Sequence, residues 1–270
     1  MHPLCPDQVE DSMQEVMERI QMIAETEDVP VLGTSPAAQM ADEPEGYRPE
    51  DLLPGAKSLV VFGIPVPRGV YRPAAPKVIE NVWRTQGIYY RRLDDLSLRI
   101  AALLEETGDS AVPVFGCSPF SLNERKDVRG HLNQLRMGEV AGIGTRGRNG
   151  LLLHSRYGSR LMLGGVVTTA GLPAFRKPET TEPGCPPDCR ICIEVCPIKA
   201  ISPEKRRVNI MRCLQYTSRT PLLPKLRFLL LRALRPRAAE RLMSITSLDE
   251  HTLHVCSQCV TTCPYGTGTP

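Results

Sequence analysis

Eight of the ten cysteines fall after residue 184, at spacings that deliver thiolates to metal. One group is Cys185, Cys189, Cys192 and Cys196, with Pro197 directly after it. The other is Cys256, Cys259 and Cys263, with Pro264 after it, and Cys213 stands between the two. Each iron of a [4Fe–4S] cube takes one thiolate. Close cysteine spacing lets a tight turn present several sulfurs to one cube, and a proline after the last cysteine steers the chain away. In the bacterial two-cluster run the fourth cysteine reaches across to the other cube. That rule assigns Cys185, Cys189, Cys192 and Cys263 to one cluster and Cys196, Cys213, Cys256 and Cys259 to the other. It leaves Cys5 and Cys117 as ordinary thiols. The interval from Cys185 to Cys189 is one residue longer than usual, which makes Cys185 the least regular ligand. Two structural zinc sites built from the same pairs are the alternative.

The rest of the composition narrows the setting. Secreted disulfide scaffolds are short and spread their cysteines, whereas these are concentrated in one third of the chain. The N-terminal stretch lacks a basic start followed by an apolar run, so no secretory signal is expected. No apolar run reaches the roughly 18 residues of a membrane span. The expected compartment is the cytoplasm. Formal charge is +3, from 33 basic and 30 acidic residues, which does not argue for nucleic acid.

The elements that must position these cysteines come next. Met13, Val16, Met17 and Ile20 recur at helical spacing within residues 11–24. Residues 33–57 are rich in proline, glycine and charge, and read as loop. Residues 58–64 read as a buried strand, and residues 65–76 as a second loop. Leu93, Leu96, Ile100, Leu103 and Leu104 line one face of a helix over 89–104, which Gly108 ends. Strands are expected at 111–115, 151–154 and 161–169, with a helix somewhere in 121–140. Strands mixed with helices predict an α/β or α+β domain over residues 1–175. Residues 176–184 read as a linker, and the cysteine module fills 176–270. Inside it, residues 219–241 form a leucine-rich, basic insertion.

Several short segments, in order, resemble the epoxyqueuosine reductase family, which is itself similar to corrinoid reductive dehalogenases. Arg48 and Pro49, then residues 53–61 from Leu53 to Val61, resemble the family's proline–glycine turn into its first strand. Residues 141–152, with Gly142, Gly144, Gly147 and Asn149, resemble its AGLGxxGKNxLL segment. Tyr157, Gly158 and Ser159 through Leu163, Gly164 and Thr168 resemble its FGSxxxLGxxxT segment. Cys213 and Tyr216 resemble its CxxY element. The resemblance implies a nitroreductase-like, cobalamin-binding α/β domain followed by a ferredoxin-like module with two [4Fe–4S] clusters. An external low-potential donor would feed the clusters, and a low-valent cobalt would reduce an organic substrate. Gly142, Gly144, Gly147, Asn149, Gly158 and Ser159 are the implied cofactor contacts; glycine lets backbone approach a flat cofactor closely, or simply makes a tight turn.

Three departures qualify what the resemblance implies. The family's proton-donating aspartate has no clean counterpart; Asp127 and His131 lie nearest, and Tyr90 is a further acid candidate. Tyr89 and Trp83 share its region, where packing is the ordinary role. The chain ends at Pro270 without the helical repeats suited to tRNA, which argues against tRNA as the substrate. The basic insertion is long for its position. Pro221, Pro224 and Pro236 confine any helix there to about 225–235. It reads as an amphipathic helix packed on its own domain, as a docking face for a redox or corrinoid protein, or as a membrane-surface helix. His154 is expected to pack or hydrogen-bond. His251 and His254 sit close to Cys256, either near its sulfur or in solvent. Two functions remain open: a corrinoid-dependent iron–sulfur reductase, and an electron carrier or activator of a corrinoid or redox partner with no substrate of its own.

Overall fold

In the computed structural model the described residues are 6–74, 77–116, 120–123, 127–176, 184–204, 208–219, 226, 229–231, 233–235, 253–254 and 256–267. Cys5, Cys117 and His251 lie outside them, as do most of the 176–184 linker and most of the 219–241 insertion.

Four strands, β1 (Val31–Pro36), β2 (Ser58–Pro65), β3 (Ala111–Val114) and β8 (Leu161–Thr168), make the sheet of the first domain. Their order is β1-β2-β8-β3, and every pairing is antiparallel. The domain is thus of the α+β kind. Side chains of β2 alternate between two apolar layers, as the period of a strand requires. Val60, Phe62 and Ile64 point to one layer with Leu93, Leu96 and Ile100 of helix α3 (Lys77–Glu105) and Val16, Met17 and Ile20 of helix α1 (Pro6–Thr26). Leu59 and Val61 point to the other, with Met40, Met137, Ala141, Ile143 and Leu152. Both faces are therefore covered, which explains the unbroken apolar run.

In β8, Gly164 and Gly165 let both layers close in. A Cβ at Gly164 would stand 2.8 Å from the Phe62 ring and 3.2 Å from Leu93 Cβ. A Cβ at Gly165 would stand 2.7 Å from the Val60 carbonyl oxygen and 2.8 Å from Met137 Cε.

Two expectations need correction. Residues 33–57 are not all loop: β1 occupies the first part, followed by a 3₁₀ turn (Ala37–Met40) and a short helix α2 (Pro49–Leu52). Gly33, Thr34, Ser35 and Pro36 together carry little intrinsic strand preference. The strand is held instead by its register with β2 and by Thr34. The Thr34 hydroxyl donates to the Pro173 carbonyl at 2.6 Å and accepts from the Phe175 N–H at 2.8 Å. Second, α3 starts at Lys77 rather than Tyr89. It also packs on a 3₁₀ turn (Arg68–Tyr71) and on a short strand (Leu253–His254), so its early turns need no long apolar stripe for the sheet. Tyr89 and Tyr90 therefore sit mid-helix.

Between β3 and β8 lie the hairpin β4 (Phe120–Asn123) and β5 (Asp127–Gly130), helix α4 (Gln134–Val140), and a small hairpin β6 (Thr145–Arg146) and β7 (Leu152–Leu153). Asn133 caps α4, its side-chain oxygen accepting the Arg136 N–H at 3.2 Å. Beyond the linker come two one-turn helices, Ile191–Glu194 and Gln258–Thr261, a longer helix (Ile210–Thr217), and a last turn (Pro264–Thr267).

Candidate metal centre

The two one-turn helices are local repeats of each other. Each follows a bent residue of similar backbone, Arg190 (φ −122°, ψ 5°) and Ser257 (φ −132°, ψ 14°). Each carries a central cysteine, Cys192 or Cys259, with another cysteine before it and one after it. The helices pack against each other, which brings the two ends of the module together. Pro264 opens the last turn, where its missing N–H costs nothing. None of the eight cysteines is in a disulfide.

The thiols lie close enough to act on one another's charge. Burial, and then Cys185, Cys189 and Cys263, push the Cys192 thiol up to about 11. Burial, and then Cys213, Cys256, Cys192 and Cys196, push the Cys259 thiol up to about 12. The presence of Cys192 beside Cys259 shows that the two sets adjoin. Each thiol resists ionising because it is desolvated and because neighbouring thiolates repel the charge. A cation among them would offset both costs and release the protons. Among the described residues no three or more His, Cys, Asp or Glu side chains are placed to hold a lone metal ion.

Backbone N–H groups address the sulfurs as well. Ala200 N–H donates to Cys196 Sγ at 3.2 Å, and Arg148 N–H donates to Cys185 Sγ at 3.4 Å. Lys199 takes a left-handed conformation (φ 51°) to turn the chain after Pro197. Asn209, one residue past the bridge between Ile201 and Val208, donates its N–H to the Ala200 carbonyl at 2.8 Å, and its own carbonyl accepts the Cys213 N–H at 3.0 Å. That chain of contacts fixes the lone cysteine relative to the first group.

The tip of the β6–β7 hairpin docks on the module. Asn149 donates from its side-chain amide to the Cys259 carbonyl at 3.3 Å, while its side-chain oxygen accepts the Leu151 N–H at 3.2 Å. The Arg148 guanidinium donates to the carbonyls of Pro187 and Pro203. Gly150 (φ 74°) lies under Val208, whose Cγ2 would be 2.7 Å from an added Cβ. This one short tip thus touches both cysteine sets.

The glycines of this segment approach the chain's own atoms. A Cβ at Gly144 would meet the Leu153 carbonyl oxygen at 2.6 Å, and one at Gly147 would meet Asn149 Oδ1 at 2.8 Å. Gly142 (φ 68°) turns the chain after α4 and lies beside the Arg176 side chain. Gly158 (φ 58°) closes a tight turn with His154 through paired backbone bonds of 2.8 and 3.1 Å. Ser159 differs: it is buried, and its hydroxyl has no hydrogen-bond partner.

The other candidate residues are dispersed. Asp127 opens β5, a strand lying against the Cys213 helix. His131 is exposed. The Tyr90 ring covers Gly116, whose N–H donates to Asp94 at 3.0 Å. Trp83 is half-buried, with its indole N–H enclosed and unpartnered. His154 is buried; its Nδ1 accepts the Arg156 N–H at 3.1 Å, and its ring centroid lies 4.9 Å from that of Tyr157.

The sequence gives no sign of Arg160 or Tyr71, yet the fold brings them together beside the second cysteine set. Arg160 is buried and donates to the Val66 carbonyl. Burial, and then Arg68, lower its pKa, while the phenols of Tyr71 and Tyr157 oppose that. Burial pushes Tyr71 up to about 12; Arg160 works against this shift and the Cys259 charge adds to it. Tyr71 comes from a proline-rich turn and Arg160 from the residue before β8, so only the fold makes them neighbours.

No protein-family model matches the chain. Over 227 residues it is 26% identical to an epoxyqueuosine reductase of Lactococcus garvieae, covering 83% of this chain and 56% of that one. Over 152 residues it is 31% identical to a tetrachloroethene reductive dehalogenase of Desulfitobacterium hafniense, covering 55% of this chain and 24% of that one. Among solved structures, an epoxyqueuosine reductase crystallised with an epoxyqueuosine-modified tRNA stem loop superposes with a TM-score of 0.56 at 19% identity. That match covers 96% of this chain and 66% of the other. The chain spans about half the length of the first of these relatives and about a quarter of the second.

Proposed function

The chain belongs to the epoxyqueuosine reductase-like family, and from that premise we propose that it is an iron–sulfur oxidoreductase moving electrons singly toward its α+β domain. What supports the reading is that the one-turn helices of Cys192 and Cys259 pack together, with Cys185, Cys189 and Cys263 close enough to act on Cys192 and Cys213, Cys256, Cys192 and Cys196 close enough to act on Cys259. Cys185, Cys189, Cys192 and Cys263 would hold one [4Fe–4S] cluster, and Cys196, Cys213, Cys256 and Cys259 the other. The clusters supply one-electron transfer and nothing more.

The chain's residues shape that transfer. The N–H groups of Ala200 and Arg148 stabilise charge on Cys196 and Cys185, which favours the reduced state of each cluster. Asn149 ties Cys259 to the α+β domain, and Arg160 with Arg68 places positive charge on that side. The hairpin tip of the α+β domain meets both sets, so either cluster would have a contact through which to pass electrons to that domain.

A corrinoid is the acceptor that the relatives suggest, supplying a low-valent cobalt to reduce an organic substrate. Of the six contacts that the sequence resemblance implies, five are engaged with the chain's own atoms, and Ser159 offers an open hydroxyl. The alternative is that the chain relays electrons to a corrinoid or redox protein and has no substrate of its own. Anaerobic loading of the clusters followed by titration with cobalamin separates the two. The reductase reading expects one cobalamin per chain with an altered cobalt spectrum. No binding sinks that reading and leaves the relay.

A further inference from the structure

Among its described residues, the basic insertion carries exposed leucines. Residues 226, 229–231 and 233–234 are helical, and the Arg235 N–H closes the last turn onto the Leu231 carbonyl at 2.7 Å. Leu226, Leu229, Leu230 and Leu234 are 53%, 47%, 62% and 72% exposed, at the spacing of one helix face. From Lys225 to Arg237 the sequence has five arginines and lysines and not one acidic residue.

We infer that this helix lies on the surface of an anionic lipid bilayer, its leucines entering the acyl boundary and its arginines meeting lipid phosphates. Charge and apolarity coincide on one short segment, which is the composition of an interfacial helix. No helix among the described residues is long and apolar enough to cross a membrane, so the contact is with the surface. A protein partner is the poorer fit. Protein hot spots are built on tryptophan, tyrosine and arginine, with leucine under-represented, and the exposed face here is leucine. An acidic lipid surface needs no matching pocket and rewards each basic residue independently.

The test uses the full chain, cluster-loaded under anaerobic conditions, co-sedimented with phosphatidylcholine vesicles with or without phosphatidylglycerol. Binding to the anionic vesicles alone is expected, weakened about tenfold or more by high salt. Leu230→Ser with Leu234→Ser should cut binding by about 100-fold. Arg235→Glu should weaken it less. Both variants should keep the wild-type melting curve and iron content, since these side chains are exposed. No binding to anionic vesicles, equal binding to neutral ones, or full binding by the double leucine variant overturns the inference. Soluble capture of an acidic protein without vesicle binding would also overturn it. None of these results bears on the clusters.

Discussion

The side-chain amide of Asn149 reaches 3.3 Å across to the carbonyl oxygen of Cys259. Residues 110 apart in sequence are thereby joined, and the joint lies where the cysteine module meets the α+β domain. The amide's oxygen is held by the Leu151 N–H, so the donor is aimed rather than free to rotate.

Asn149→Ala leaves the Cys259 carbonyl and the Leu151 N–H unsatisfied in a poorly solvated place. A loss of about 1–3 kcal/mol is expected, read as a lower urea midpoint of the cluster-loaded protein, with faster loss of iron. An unchanged midpoint would show that the joint carries no stability.

Gly165→Ala should destabilise more than Gly164→Ala. The first drives a methyl into the rigid Val60 carbonyl, the second chiefly into the Phe62 ring, which can shift. Costs of about 1–3 kcal/mol are expected for Gly165→Ala by thermal melting. Gly171→Ala, which meets nothing within 4 Å, should melt like the parent. If all three melt alike, the close approach of α4 and α3 to β8 is not what holds the layers.

Chelation of iron should loosen residues 184–267 before the sheet. The two apolar layers contain none of the eight cysteines, whereas the module is built of one-turn helices with little apolar cover. Limited proteolysis after chelation should cut first within the module and leave a fragment containing β1 to β8. Simultaneous loss of both parts would mean that the module is integral to the domain's stability.

Much of the fold was legible in the sequence where one interaction dominates. The apolar run 58–64 and the leucine stripe of α3 announced themselves because a single buried face dictates their pattern. The cysteine spacing pointed to the segments whose one-turn helices pack together. β1 did not announce itself, because Gly33 and Thr34 are held by partners more than a hundred residues away. The glycine segment 142–150 was visible as a feature but not in its role. A glycine pressed on Leu153 and one pressed on a flat ligand look alike in one dimension. Arg160 and Tyr71 gave no signal at all, since what matters is their meeting.

On the crossed assignment, Cys263→Ala removes a ligand that lies 71 residues beyond Cys192 in the chain. It should empty the site of Cys185, Cys189 and Cys192 and spare the other. Electron paramagnetic resonance of the reduced variant should show one cluster signal in place of two. Equal loss of both would contradict the crossed assignment.

The most direct measurement is the metal and sulfide content of the anaerobically reconstituted chain. About eight irons and about eight acid-labile sulfides per chain are expected for two cubes. Zinc with no sulfide would contradict the central claim, because the same thiols would then be structural ligands with no electron to pass.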